Sequence, residues 1–169
     1  MVVFMKVSFL TQDDFEDLTQ EAFASIRLRS HLLLHENPND VVQRIIIGLV
    51  KGTYIPPHFH ELQHQWEHFH VLHGEVELML FDNNGCLNKK VILGGQSKSV
   101  IVQIPPLIPH TLVCRSPTAV IMEIKEGPFD EKFAKVIPSW SYSEDYSIVS
   151  RDRITAMMAQ LSIGDRFSI

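Results

Sequence analysis

Cysteine is scarce in this chain: Cys86 and Cys114 are the two in 169 residues. They lack both the CxxC spacing of a zinc ribbon and the density of a disulfide framework, which leaves them as reduced residues in a core or turn and points to a reducing compartment. A basic surplus is missing as well. The chain sets 15 Lys and Arg against 20 Asp and Glu for a net charge of -5, and no stretch gathers basic residues to neutralise nucleic-acid phosphates or an anionic membrane. Long apolar runs are absent too. Residues 2–10 are apolar, but Lys6 interrupts them and Asp13, Asp14 and Glu16 follow directly, unlike a signal peptide or a spanning helix. No internal repeat, low-complexity tract or heptad pattern is present. The expectation is a soluble cytoplasmic protein with no nucleic-acid or membrane partner.

What is there is a chain 45% hydrophobic, enough for one well-filled core and short for two. Residues 2–10 read as a strand. Thr11 then reads as an N-cap, with acidic residues in the first turn where the helix dipole favours them. Phe15, Leu18, Ala22 and Phe23 supply the apolar stripe of a short helix. Beyond it the texture changes to short β runs over 31–35, 41–50, 54 onward, 67–72 and 75–80. Turn signals separate them: Lys51-Gly52, His73-Gly74, Asp82-Asn-Asn-Gly85 and Gly94-Gly95. Val76, Leu78 and Leu80 alternate with their neighbours, as a half-buried antiparallel strand should. Many short strands in so small a domain imply a mainly β sandwich or closed barrel. Past Pro138 the chain turns polar and offers a further helix near 153–161. The implied organisation is an N-terminal strand and helix over 1–28, a single β domain over 29–138, and a C-terminal extension over 139–169.

Histidine is concentrated in one place: six of the nine lie between His58 and His73. His58-Phe-His60 sits at i and i+2, which on a strand puts both imidazoles on one face and allows them to share an ion. Glu67 opens the next β run, so a hairpin with residues 61–66 as its loop brings the carboxylate beside the pair. His110 follows the proline-rich Pro105-Pro106-Leu107-Ile108-Pro109 and is the one histidine after position 73. Together His58, His60, Glu67 and His110 form a three-imidazole, one-carboxylate set. Such a set leaves coordination positions open for substrate or water, and it accepts zinc, iron, nickel or manganese alike. His68 and His70 alternate with Glu67 and Phe69, so they face the other side of the sheet. His73, before a turn glycine, reads as solvated.

These residues resemble a known family. Gly52, His58-x-His60, Glu67 and Gly74 look like the first cupin motif, and Pro105, Leu107 and Ile108-Pro109-His110 like the second. The surroundings, including Arg27-Leu-Arg29-Ser30-His31, His35, Val42-Gln43-Arg44 and Glu123-Ile-Lys-Glu-Gly127-Pro128-Phe129, are similar to WbuC-type cupin-fold metalloproteins over roughly residues 10–140. The resemblance implies a single-domain jelly-roll barrel with one divalent transition metal inside. It associates the chain with surface-polysaccharide biosynthesis and a sugar or sugar-nucleotide ligand. Three positions depart from the cupin pattern. The gap between His60 and Glu67 is longer, Leu107 stands where glycine is expected, and Cys114 stands where asparagine is expected. The longer gap inserts His64, a rival third ligand or a base over the open coordination position. Glu67 is the preferred ligand because it leads a strand while His64 lies in a loop.

Two function classes follow from this set. One is a metal-dependent enzyme, a sugar isomerase, epimerase or dioxygenase, in which His64 or Glu123 moves protons. The other is a binding or sensing module that captures a small molecule through the metal. Arg27, Arg29 and Arg44 are candidates to grip an anionic ligand, because guanidinium forks match carboxylate and phosphate. Salt bridges with the chain's many acidic residues explain them equally well. His35 and Gln43 have similar standing as ligand contacts. Cys114, four residues from His110 and on the same strand face, reads as a packing thiol. The apolar N-terminal segment and the outward His68 and His70 offer material for a homodimer.

Overall fold

The computed structural model describes residues 7–144 and 151–168. Helix α1 spans Gln12–Ala24 and begins as its sequence dictates: the Thr11 hydroxyl accepts from the Asp14 N–H, and the Asp14 carboxylate accepts the Thr11 N–H at 2.6 Å. This reciprocal capping box satisfies two donors that the helix start leaves free. Leu18 and Ala22 are buried, whereas Phe23 is exposed, so the stripe is narrower than its four apolar residues suggest. The strand expected over 2–10 differs. Residues 2–6 lie outside the described residues, and 7–10 form no strand, with Val7 and Phe9 left exposed.

Eight strands follow: β1 Arg29–Leu33, β2 Val42–Val50, β3 Glu67–His73, β4 Glu75–Phe81, β5 Leu87–Gly94, β6 Ile101–Ile104, β7 His110–Cys114 and β8 Thr118–Glu126. They form a five-stranded sheet, β1-β2-β8-β3-β6, and a three-stranded sheet, β5-β4-β7. Every pairing is antiparallel. Their inner faces meet over Leu49, Phe69, Leu78, Leu93, Leu112 and Ile121, the interdigitated core of a sandwich. Fully burying such a side chain is worth about 1.5–3 kcal/mol, so this seam dominates the stability. Cys114 belongs to the seam, and burial pushes its thiol up to about 11. Both cysteines are free.

Each outer face is covered differently. Helix α1 lies on the five-stranded sheet, where Leu18 meets Ile46 and Val120. Contact is close because β2 carries Gly48 there: a Cβ at that position would stand 2.9 Å from the Leu18 carbonyl oxygen. The three-stranded sheet is covered by the C-terminal extension. Helix α2 spans Arg151–Gln160, close to the helix expected at 153–161, and Ile154, Met158 and Phe167 pack on Met79, Phe81 and Leu87. Strand β4 is therefore buried on both faces, with Glu77 inside and paired to Arg115 and Lys90. The half-buried alternation expected for 75–80 fails for that reason.

Candidate metal centre

The first two ligand candidates lie in an extended segment, not in a strand paired to β3. A single antiparallel bridge joins His58 to His110 at the start of β7, through hydrogen bonds of 3.0 and 2.9 Å between their main chains. Strand β3 is flanked by β8 and β6 instead, so the expected hairpin between 58–60 and 67–72 is replaced by meeting across the sandwich. The approach of His110 is set by the turn before it. Leu107 adopts φ 66, and its N–H donates to the His60 carbonyl at 2.8 Å. The residue that replaces the pattern's glycine thus occupies the left-handed conformation glycine favours.

Ligand atoms from His58, His60, Glu67 and His110 lie within 4.8 Å of one another. His58 Nδ1 sits 2.9 Å from the Pro56 oxygen and His110 Nδ1 sits 2.8 Å from the Ile108 oxygen. A carbonyl only accepts, so both Nδ1 atoms carry the hydrogen and both Nε2 lone pairs are left for the centre. Glu67 Oε1 is 3.0 Å from His60 Nε2, and Oε2 is 2.8 Å from His110 Nε2. Despite these distances, His60 Nε2, Glu67 Oε2 and His110 Nε2 are buried without a partner in hydrogen-bond alignment. Close but misaligned buried polar atoms are costly unless something satisfies them together. A divalent cation does so, and a nitrogen-rich set with one carboxylate suits a transition ion.

Electrostatics tie the four together. Burial alone would raise the Glu67 carboxyl, but His110 and His60 against it hold it well below the usual carboxylate range. Burial disfavours a charged His110, and Glu67 outweighs it, so that imidazole is raised. His58 is pushed down to about 3, by burial first and then by His110. It is therefore a neutral donor at any physiological pH.

The four border a cavity of about 290 Å³ between the sheets, walled by Ile47, Phe69, Leu112 and Ile121 among others. Glu123 lines it, and its Oε1 is 2.6 Å from Lys125 Nζ. Arg29 lines it as well, nearly buried, donating to the Tyr54 carbonyl at 2.9 Å and to Glu144 at 2.5 Å. Arg27 grips the other Glu144 oxygen at 2.8 Å.

The remaining candidates lie elsewhere. His64 is exposed in the turn before β3 and lines no part of this cavity, so it is not placed as a base over the centre. Arg44 is also outside it: Ile45, Ile47 and Leu49 take the inward positions of β2, and strand alternation turns Arg44 outward. His35 accepts the Arg44 N–H at 3.1 Å through Nδ1. Gln43 is buried but closes a turn, donating to the Asp40 carbonyl at 2.7 Å. His35 and Arg44 therefore serve the start of β2, not the cavity, whereas Gln43, also outside that cavity, lines a smaller one with His60, Glu67 and Lys125. His68 and His70 are half-buried on the face opposite Glu67 and Phe69, and His73 is exposed.

Three titratable residues line the cavity without having been singled out as site residues from sequence: Lys125, His31 and Lys135. Lys125 had a signal, since it follows Glu123 at i+2 and must share its face. Register sets it directly across from Glu67. Burial lowers its ammonium, and Glu123 and Glu67 more than restore it, leaving the group raised. His31 is exposed on β1, so the downward push that desolvation and then Arg29, Arg27, Lys125 and Lys135 exert on it is tempered by solvent. Lys135 had no signal, because it lies in irregular chain after the short 3-10 helix Glu131–Phe133.

A family model described as a domain of unknown function (DUF6016) matches residues 10–93, a stretch that holds His58, His60 and Glu67 but not His110. No curated protein matches by sequence. Among solved structures, a cupin-2 domain from Rhodospirillum rubrum is similar over 66% of this chain and 66% of its own, at 11% identity and a TM-score of 0.50. An oxalate oxidase in complex with the substrate analogue glycolate is similar over 68% of this chain and 57% of its own, at 13% identity and a TM-score of 0.50. The chain thus spans less than two thirds of either. At such identity the likeness is one of fold, and the fold is the mainly β cupin jelly roll.

Proposed function

We propose that this chain is a metal-dependent cupin of the WbuC type, in which His58, His60, Glu67 and His110 hold one divalent transition ion. One observation carries the reading: the two Glu67 oxygens stand 3.0 and 2.8 Å from His60 Nε2 and His110 Nε2, yet three of these four buried atoms lack an aligned hydrogen bond, and two of the imidazoles have their Nδ1 atoms tied to carbonyls. The cavity is at the small end of ligand pockets, which suits a small polar or sugar-derived molecule. A sugar nucleotide would leave its nucleotide at the mouth. Zinc, iron, nickel and manganese are all compatible with the donors.

When bound, the ion supplies a Lewis acid that polarises a ligand oxygen. The chain's own groups do the rest. Apolar walls exclude water, and the Lys125–Glu123 ion pair, Nζ and Oε1 2.6 Å apart, stands where it would take a proton from a molecule in the cavity or give one to it. That chemistry fits an isomerase, an epimerase or an oxygenase, and a place in surface-polysaccharide biosynthesis accords with it. A second reading, a binding or sensing module without turnover, is favoured by the same pair. Glu123 is engaged by an ammonium, and His64, the other proposed proton carrier, is outside the cavity. Elemental analysis of purified protein tests the metal: about one ion per chain is expected, lost on His110→Ala, and full metal in that variant overturns the four-ligand set. Turnover of sugar nucleotides by the loaded protein separates enzyme from module.

A further inference from the structure

The cavity's charge runs against that of the molecule. The chain carries a net charge of -5, yet four cationic side chains, Arg27, Arg29, Lys125 and Lys135, line the cavity against two carboxylates, Glu67 and Glu123. A divalent ion on the ligand set, as proposed above, makes the excess larger. Cations crowded in a partly desolvated space repel one another and persist where an anion joins them.

Most of these cations have a partner. Arg27 and Arg29 share Glu144, and Lys125 holds Glu123. Lys135 makes no ion pair among the described residues; Glu144, whose oxygens are already engaged by the two arginines, is the carboxylate that acts on its charge from farther off. The position of Lys135 is nevertheless fixed. The next residue, Val136, bridges Phe59 through main-chain hydrogen bonds of 3.1 and 2.8 Å, and Phe59 lies between His58 and His60. The backbone thus holds this ammonium beside the ligand-bearing segment, on the cavity wall. Glu144 gives the arginine pair its calibration: one carboxylate, both oxygens engaged by two guanidinium groups.

We infer that the cavity takes a small oxyanion, a molecule bearing a carboxylate or phosphate group, whose charge is met by Lys135 and by the Arg27 and Arg29 pair that Glu144 occupies. This names the ligand class of the site proposed above and rests on that reading for the location of the reacting end. It does not need the metal to be tested.

The test is isothermal titration of the full chain, metal-loaded and EDTA-treated, with sodium malonate, with inorganic phosphate and with glucose as a neutral control. One of the two anions is expected to bind more tightly than glucose, and the better one names the charged group. Lys135→Glu should weaken that anion at least tenfold while leaving metal content unchanged, and Lys135→Arg should restore it. Glu144→Gln, which removes the carboxylate charge shared by Arg27 and Arg29, should tighten binding several-fold. Neither anion binding, or Lys135→Glu binding as the unmodified chain does, overturns the inference. The two readings fail separately. Anion binding that depends on Lys135 in a protein that holds no metal would sink the metal reading alone, and one metal per chain with no anion bound would sink this one alone.

Discussion

Glu67→Gln is the most informative single change, because it keeps shape and removes charge at a position that is 3% exposed. Its two oxygens each approach a histidine Nε2, so the amide replaces one of them with an NH2 group that cannot donate a lone pair. Structural zinc sites bind with about 10–16 kcal/mol, which over four ligands is about 2.5–4 kcal/mol each, or roughly 10²–10³ in affinity. At saturating metal a hundredfold loss of affinity removes about 2.7 kcal/mol of metal-dependent stabilisation. For a chain of this size, at about 2–4 °C per kcal/mol, the metal-induced rise in Tm should fall by roughly 5–11 °C. Differential scanning fluorimetry of EDTA-treated protein, titrated with zinc, nickel and manganese, reads this directly. His64→Ala is the control and should leave the rise unchanged, since His64 is exposed in a turn away from the cavity. An unaltered rise in Glu67→Gln, or a loss in His64→Ala matching it, would refute the ligand assignment and restore His64 as the third ligand.

Metal uptake should also release protons. His110 is raised above its ordinary value in the metal-free fold, so metal must displace a proton there, and affinity should climb with pH until the raised value is passed. In the metal-free protein the sign is opposite: the stabilisation from protonated His110 is complete below about 6.5 and is lost as pH rises through the folded value. Calorimetry in buffers of different ionisation enthalpy checks the first, and no proton uptake by buffer at pH 6.5 would contradict it. Gly48→Ala should destabilise the fold by about 1–3 kcal/mol through overpacking, since the new Cβ meets the Leu18 backbone; denaturant unfolding reads this, and an unchanged midpoint would show that α1 shifts freely. Leu107→Gly should be more stable than Leu107→Ala by about 1 kcal/mol, because both lose the same side-chain contacts and only glycine relieves the left-handed backbone. Equal midpoints for the two would mean that the turn does not hold φ 66 in solution.

The parts of this site that were legible in sequence are those whose geometry is local. His58 and His60 are two residues apart in extended chain, and the proline-rich turn announces His110, so their types and spacing carry the reading. Their assembly was less legible, because the His58 to His110 bridge joins residues fifty-two apart and replaces the hairpin that adjacent runs suggested. Long-range cover was least legible of all. Nothing within residues 75–80 says that Ile154, Met158 and Phe167 will bury their outer face, and nothing within 2–10 says that no strand will pair with 7–10. The capping box of α1 lies at the other extreme, since Thr11 and Asp14 settle it between themselves.

Strand parity decides more of the site than residue type does. Arginine at position 44 has the right chemistry for an anion and the wrong parity, since β2 turns Ile45 and Ile47 inward. Arg29 has both, because register aligns it with inward-facing Leu49. On β8 the same rule turns Ile121, Glu123 and Lys125 to one side, and register sets Glu123 across from Phe69 and Lys125 across from Glu67. An ammonium beside the ligand carboxylate is therefore a consequence of pairing, not of motif. With divalent metal on Glu67, that ammonium loses the benefit of the carboxylate's charge and must rely on Glu123 or on whatever anion enters the cavity. On the proposed reading, a site built this way would select its ligand by charge at the wall as much as by coordination at the ion.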